Sequence, residues 1–433
     1  MTMPQTRHYE MKDSGVEWIG RMPIGWKIVP AKFFMKVQAG YPFDSERFDN
    51  SQGIPLIRIR DITSGHTETF YNGDYPEEYV VHNNDLLVGM DGDFNVRWWQ
   101  GGEAVLNQRC CRILARNGLL LRYFYFLLPF YLKQVNELAY STTVKHLANG
   151  DIGNADICLP PEDEQTAIAA YLDEKCATID AIIAEAKASI EEYKSWKASV
   201  IFETVTKGLN PNAEMKDSGV EWIGEIPRAW SAKRIKTLAL SSRSLFIDGD
   251  WINSPDISEA GIRYFTTGNI GQGYFKEQGN GYITTETFNR LNCTMVHAGD
   301  LIISRLNEPI GRACIIPEHY KDCIVAVDNV ILRPDDGYNK KYLMYCMSSD
   351  RYAEYTALLA RGTTMHRISR TQLGNIFLPI PPSSEQAFIV SYLDEKCAAI
   401  DSVIAEKEAL ISDLETYKRS LIFEVVTGKR RVC

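Results

Sequence analysis

Asn95, Arg97, Trp98, Trp99 and Gln100 stand close behind the apolar run DLLVG and bring together side chains that can read a nucleobase. Arginine pairs with a guanine edge and asparagine or glutamine with an adenine edge, so these types suit readout in the major groove. They are expected to form a polar, aromatic loop after a predicted strand. Lys145 and His146, just behind Thr142 and Thr143, suit contacts to phosphate oxygens. The second half offers a similar set, with Ser304, Arg305, Asn307 and Arg312 behind DLIIS, and His366 with Arg367 behind Thr363 and Thr364.

Catalytic chemistry has no comparable support. The chain lacks an Asn-Pro-Pro-Phe or Asp-Pro-Pro-Tyr motif, a G-x-x-x-x-G-K-[ST] phosphate loop and a glycine-rich dinucleotide fingerprint. LPPEDE and IPPSSE pair their prolines without the adjacent Asn or Asp and aromatic residue. Glu192, Tyr193 and Lys194 spell the E-x-K of many nucleases, but in the middle of a helical pattern where such spacing is common. The ten cysteines form no Cys-x-x-Cys pair and the seven histidines never join them at ligand spacing, so no metal site is expected and the thiols read as reduced and buried. No catalytic residue and no cofactor is assigned to the chain.

A repeat shows what must position these residues. MKDSGVEWIG at Met11–Gly20 recurs letter for letter at Met215–Gly224, and RMPIGW ending at Trp26 is matched by EIPRAW ending at Trp230. LPPEDEQTAIAAYLDEKCATIDAIIAE from Leu159 is matched by IPPSSEQAFIVSYLDEKCAAIDSVIAE from Ile380. Each half is therefore a constant leading segment, a variable domain and a constant closing segment. The resulting division is 1–26, 27–158, 159–208, 209–230, 231–379 and 380–433. Trp18, Trp26, Trp222 and Trp230 in the leading segments are expected to pack each domain onto the closing segments.

The variable domains carry short apolar runs, IPLIRI, DLLVG, IRYFTT and DLIIS, between turn residues, and are read as α+β. The closing segments are helical. Leu172, Cys176, Ile179, Ile183, Ala186, Ile190 and Tyr193 alternate steps of four and three, an apolar heptad seam. Its copy is Leu393, Cys397, Ile400, Ile404, Lys407, Ile411 and Leu414, broken at Lys407 alone. About 42 residues at 1.5 Å each make a rod of roughly 60 Å. Such a helix lacks a core of its own, so the two should pair, antiparallel, as a coiled coil under an internal pseudo-twofold relation. Two similar domains so related suit duplex DNA with two half-sites.

The formal charge of −9 opposes simple DNA binding, but Pro160–Gly208 alone holds about five more acids than bases, whereas the variable domains are near neutral. The most apolar stretch, Tyr123–Leu132, contains Pro129 and falls short of the roughly 20 residues of a membrane span, so it reads as a buried helix. With no apolar signal at the N-terminus, a cytoplasmic location is expected.

The pattern MKDSGVEWIG-x-x-P-x-x-W before each domain, then PP-x-x-EQ-x-x-I-x-x-YLD opening a long helix, occurs twice and covers nearly the whole chain. It resembles the specificity subunit of type I restriction-modification enzymes. The resemblance implies one target recognition domain per half, a bipartite target in double-stranded DNA with a non-specific spacer, and no catalysis by this chain. Because the two candidate loops differ in nearly every residue, the half-sites should differ and the full target should be asymmetric. The resemblance also implies two modification (methyltransferase) subunits that use S-adenosylmethionine, restriction and motor subunits that use ATP and Mg, and no membrane. Two other classes fit the residues alone, a stand-alone pseudo-dimeric DNA-binding regulator and a coiled-coil scaffold.

Overall fold

The computed structural model of the chain describes residues 10–92, 94–138, 149–154, 156–360 and 366–432. It divides into two compact units, 1–186 with 409–433, and 187–408. Each unit holds one variable domain and part of each of two long helices.

In the first unit a hairpin, β1 (Met11–Asp13) and β2 (Arg21–Pro23), leads into β3 (Lys27–Pro30) and β4 (Met35–Ala39). There follow β5 (Phe48–Asp49), β6 (Ile54–Ile57), α1 (Ile59–Ser64), β7 (Phe70–Tyr71), β8 (Val80–Val81), β9 (Leu86–Gly89), β10 (Val96–Trp98), β11 (Ala104–Leu106) and β12 (Cys110–Ala115). Helices α2 (Leu121–Leu138) and α3 (Asn149–Gly153) precede β13 (Asp156–Leu159), which pairs with β3 and closes the domain. One sheet has the order β10-β9-β12-β4 and the other β5-β7-β6-β11-β8. Strand β9 is buried on both faces, which is why LLVG carries no polar alternation. Leu86 and Val88 face the core that includes Tyr123, Phe124 and Leu127 of α2, and Leu87 faces Ile57 and Leu106 of the other sheet. The expected buried helix at Tyr123–Leu132 thus lies within α2.

The second unit repeats this plan. Hairpin β14 (Met215–Asp217) and β15 (Glu225–Pro227) leads into β16 (Ser231–Arg234) and β17 (Leu245–Asp248). Then come β18 (Ile262–Phe265), β19 (Tyr282–Ile283), α5 (Thr285–Leu291), β20 (Val296–His297), β21 (Leu301–Ser304), β22 (Ala313–Ile315), β23 (Asp322–Val325) and β24 (Asn329–Arg333). Helices α6 (Lys340–Met347), α7 (Asp350–Leu359) and α8 (Arg370–Gly374) precede β25 (Phe377–Ile380), which pairs with β16. The sheet orders are β17-β24-β21-β22 and β19-β18-β23-β20, the same as in the first unit apart from the extra edge strand β5. The shared α+β plan and the pair of helices are those expected of two similar recognition domains.

The long helices are α4 (Glu162–Lys207) and α9 (Ser383–Val426), started by Pro160-Pro161 and Pro381-Pro382. In the first unit the Tyr123 hydroxyl lies 2.8 Å from the carbonyl of Cys158, just before α4, and 3.0 Å from that of Val426, the last residue of α9. The start of one helix therefore meets the end of the other, so the two run antiparallel. In the second unit Tyr342 does the same with the carbonyls of Pro379 and Val205.

Leu172, Cys176, Ile179 and Ile183 are buried with Leu421 and Val425, and Ile411 and Leu414 pack half-buried against them. Asp180 accepts from Lys418 at 2.6 Å beside this seam. In the second unit Ile190, Leu393, Cys397 and Ile400 are buried and Ile404 is half-buried. Lys407, the break in the pattern, lays its ammonium 5.8 Å from the centre of the Tyr193 ring. A cation over an aromatic face explains how a lysine is tolerated at a seam position.

The repeated Glu-Gln pair fastens each domain to its helix. Trp26 Nε1 donates to Glu164 at 2.8 Å and Trp230 Nε1 to Glu385 at 2.9 Å. Gln165, fully buried, accepts from the Leu120 amide and donates to the Pro160 carbonyl, and Gln386 repeats this with Asn339 and Pro381. Trp26→Phe should cost about 2 kcal/mol, because it strips a charged acceptor of its donor at a packed junction. Urea unfolding of the full chain measures this, with unchanged stability counting against the fastening role.

Candidate nucleic-acid interface

Strand β10 changes the expectation for the first candidate set. The run NVRWWQ does not form a loop, because Val96, Arg97 and Trp98 pair with Val88, Leu87 and Leu86 of β9. Gly92 and Phe94, both with positive φ, make the turn instead. Arg97 is thereby laid along the sheet, where its guanidinium donates to the carbonyls of Ile62 (2.9 Å) and Thr63 in the last turn of α1. The negative end of that helix is a natural seat for a cation. Trp98 and Gln100 both donate to Asn84 Oδ1, at 3.2 and 2.9 Å, and Trp99 is buried with its indole on the Gly102 carbonyl. Asn95 and Gln100 are exposed, and Asn95 stands at the hairpin turn. Lys145 and His146 lie outside the described residues.

In the second domain three of the expected DNA contacts are structural. Ser304 is fully buried and donates to the Leu306 carbonyl. Arg312, 7 % exposed, surrounds its guanidinium with the carbonyls of Thr267, Ile270, Leu306, Asn307 and Pro309. With its donors occupied it cannot reach a base, and burial pulls its pKa below the usual guanidinium value. Arg305, 4 % exposed, donates to the Ile368 and Val327 carbonyls and pairs with Asp248 at 3.0 Å. Burial lowers its pKa, Arg367 and Arg370 add to that pull, and Asp248 and Asp328 oppose it. The sequence contains the right residue types here but not their depth.

What remains at the surface is a compact group. Asn307 is exposed at positive φ, and its amide donates to the His366 carbonyl at 3.0 Å. His366 pairs with Glu308 at 2.7 Å, Arg367 with Asp328 at 2.7 Å and Arg370 with Asp248 at 3.6 Å. The bridge Leu306↔Arg367 adds the His366–Ile368 segment to the edge of the hairpin turn. Thus Asn307, His366 and Arg367 come together, with Arg370 as a neighbour that sequence reasoning missed. Its position at the first turn of α8 is visible only once the Ser369 cap is seen.

The leading-segment tryptophans divide. Trp26, Trp222 and Trp230 are buried, whereas Trp18 is half-buried and lines a groove of about 670 Å³ with Phe130, Lys133, Arg419 and Phe423. No group of three or more His, Cys, Asp or Glu among the described residues could hold a metal ion. No helix among them is long and apolar enough to cross a membrane.

Comparison with known proteins agrees with this geometry. The model of the family described as type I restriction modification DNA specificity domain matches twice, at residues 23–192 and 228–411. The chain is 29% identical over 389 residues to the type I restriction enzyme EcoBI specificity subunit of Escherichia coli, covering 87% of this chain and 80% of that one. It is 23% identical over 419 residues to the MjaVIII specificity subunit of Methanocaldococcus jannaschii, covering 95% and 94%. Among solved structures, a chain described under "complex assembly and conformational transition of the type I R-M system" shares the fold at TM-score 0.72 and 17% identity, over 94% of this chain and 99% of that one. The HsdS subunit from Thermoanaerobacter tengcongensis does so at 0.51 and 16%, over 94% and 98%. With two matched domains on one scaffold and a different set of exposed polar side chains at the edge of each, the chain belongs to the type I restriction-modification DNA specificity family.

Proposed function

We propose that this chain is the specificity subunit that directs a type I restriction-modification complex to an asymmetric bipartite DNA target, one half-site per domain. The observation that carries the reading is the contrast between scaffold and edge. Both domains use the same sheet order, yet the first hairpin turn presents Asn95 and the second presents Asn307 beside His366 and Arg367. Equal frames with unequal edges should read unequal sequences.

Methyl transfer to adenine then belongs to two modification subunits carrying S-adenosylmethionine. Cleavage belongs to motor and nuclease subunits using ATP and Mg, all in the cytoplasm. A net charge of −9 supports recognition within a complex over unaided tight binding, since phosphate contacts need cations that the partners would supply. The purified chain with labelled S-adenosylmethionine and DNA should transfer no label, and adding its modification subunit should start transfer at a bipartite motif. Transfer by the chain alone would contradict the reading.

A further inference from the structure

The two domains share one strand register, so corresponding positions can be matched inside the chain. In the first domain Leu86, Leu87, Val88 and Gly89 pair with Ile113, Arg112, Cys111 and Cys110. In the second, Leu301, Ile302, Ile303 and Ser304 pair with Leu332, Ile331, Val330 and Asn329. The next bond also repeats, with the Met90 amide donating to the Arg109 carbonyl at 2.9 Å and the Arg305 amide to the Asp328 carbonyl at 2.8 Å. Arg109 and Asp328 are therefore the same position, the residue before β12 or β24, and they carry opposite charge.

Each finds its opposite nearby. Arg109 Nη1 is 3.4 Å from Asp91 in the hairpin turn, and Asp328 is 2.7 Å from Arg367 Nη2 on the segment added to the second turn. In both pairs the arginine is outermost, with side chains 57% (Arg109) and 47% (Arg367) exposed against 23% (Asp91) and 22% (Asp328) for the carboxylates beneath. Exposed ion pairs contribute little to stability, so stability alone gives weak reason for the arrangement. A guanidinium tethered through one nitrogen to a carboxylate beneath it is partly oriented, leaves its other nitrogens to face outward, and loses less freedom on meeting two acceptors.

We propose that Arg109 and Arg367 are the base-reading arginines of the first and second domains. Each donates to O6 and N7 of a guanine in the major groove, and Asp91 and Asp328 are their positioning residues. The proposal rests on the specificity reading above and adds the residues to it. Because the arginine leaves the start of β12 in one domain and the added segment in the other, the two guanines are approached from different parts of the same frame.

The test uses the full chain with its modification subunit on a randomised duplex library, sequencing the methylated molecules. Arg109→Ala should lose roughly 5- to 150-fold of the preference for one guanine in one half-site while the other half-site stays intact. Arg367→Ala should do the same in the other half. Asp91→Asn and Asp328→Asn should weaken the same two preferences partially and no others. Arg109→Lys keeps the ion pair but not the fork, and should lose the preference even if an alanine variant folds poorly. An unchanged motif overturns the assignment. So does uniform weakening on all sequences with a salt slope lowered by about one, which marks a phosphate contact. A wild-type complex that methylates without a bipartite motif overturns the specificity reading itself, so the two failures appear in different samples.

Discussion

Gly40→Ala is expected to cost the first domain about 3 kcal/mol or more and to abolish recognition of its half-site. The Gly40 amide donates to the Cys110 carbonyl, and a Cβ at this position would lie 2.1 Å from the Asn107 carbonyl oxygen and 2.4 Å from that of Leu106. Those atoms are backbone at the exit of β11, so no rotamer change relieves the clash and the two sheets must part. The second domain carries the same device, since a Cβ on Gly249 would meet the Ala326 and Val325 carbonyls at 2.4 Å. Gly249→Ala should therefore remove the other half-site. Gly25→Ala is the control, with nothing within 4 Å of the added atom. Protease susceptibility of the full chain reports the damage, and the 27–158 region should be cut first in Gly40→Ala. Equal resistance of Gly40→Ala and Gly25→Ala would refute the close approach.

Much of this fold was legible in the sequence because its signals are local or repeated. The heptad steps from Leu172 to Tyr193 predict α4, and the matching letters from Leu393 predict α9. The doubled EQ could have drawn attention to Glu164 and Gln165, since a polar pair repeated beside an apolar seam needs partners. Two of their partners, the Trp26 indole and the Leu120 amide, come from distant parts of the chain and are not visible in spacing.

The candidate site was only partly legible, and the reason is depth. Nothing in the letters separates Arg312, caged by carbonyls from five residues, from Arg367, which stands at the surface. Likewise Arg97 looked available because the hairpin was not foreseen. The two-strand register turned its side chain toward the end of α1. The match of Arg109 with Asp328 was hidden because the letters between the repeated blocks have diverged, and only the paired strands restore the alignment.

Replacing residues 231–380 by a copy of 27–159 should make the target palindromic, with both halves reading the sequence of the first. The junctions are matched, since Lys27 pairs with Leu159 as Ser231 pairs with Ile380. The transplanted Arg122, which holds Asp173, would meet Asp394, now held by Lys341, and Tyr123 would replace Tyr342 as the bridge between helix ends. The new domain therefore brings the contacts its seat requires, and what changes is the exposed edge. The decisive measurement is the methylated motif selected from a randomised duplex library by the duplicated chain with its modification subunit, beside that of the wild type. The second half-sequence is expected to disappear and to be replaced by the reverse complement of the first. A duplicated chain that still methylates the wild-type asymmetric motif would show that the domains do not carry the half-sites.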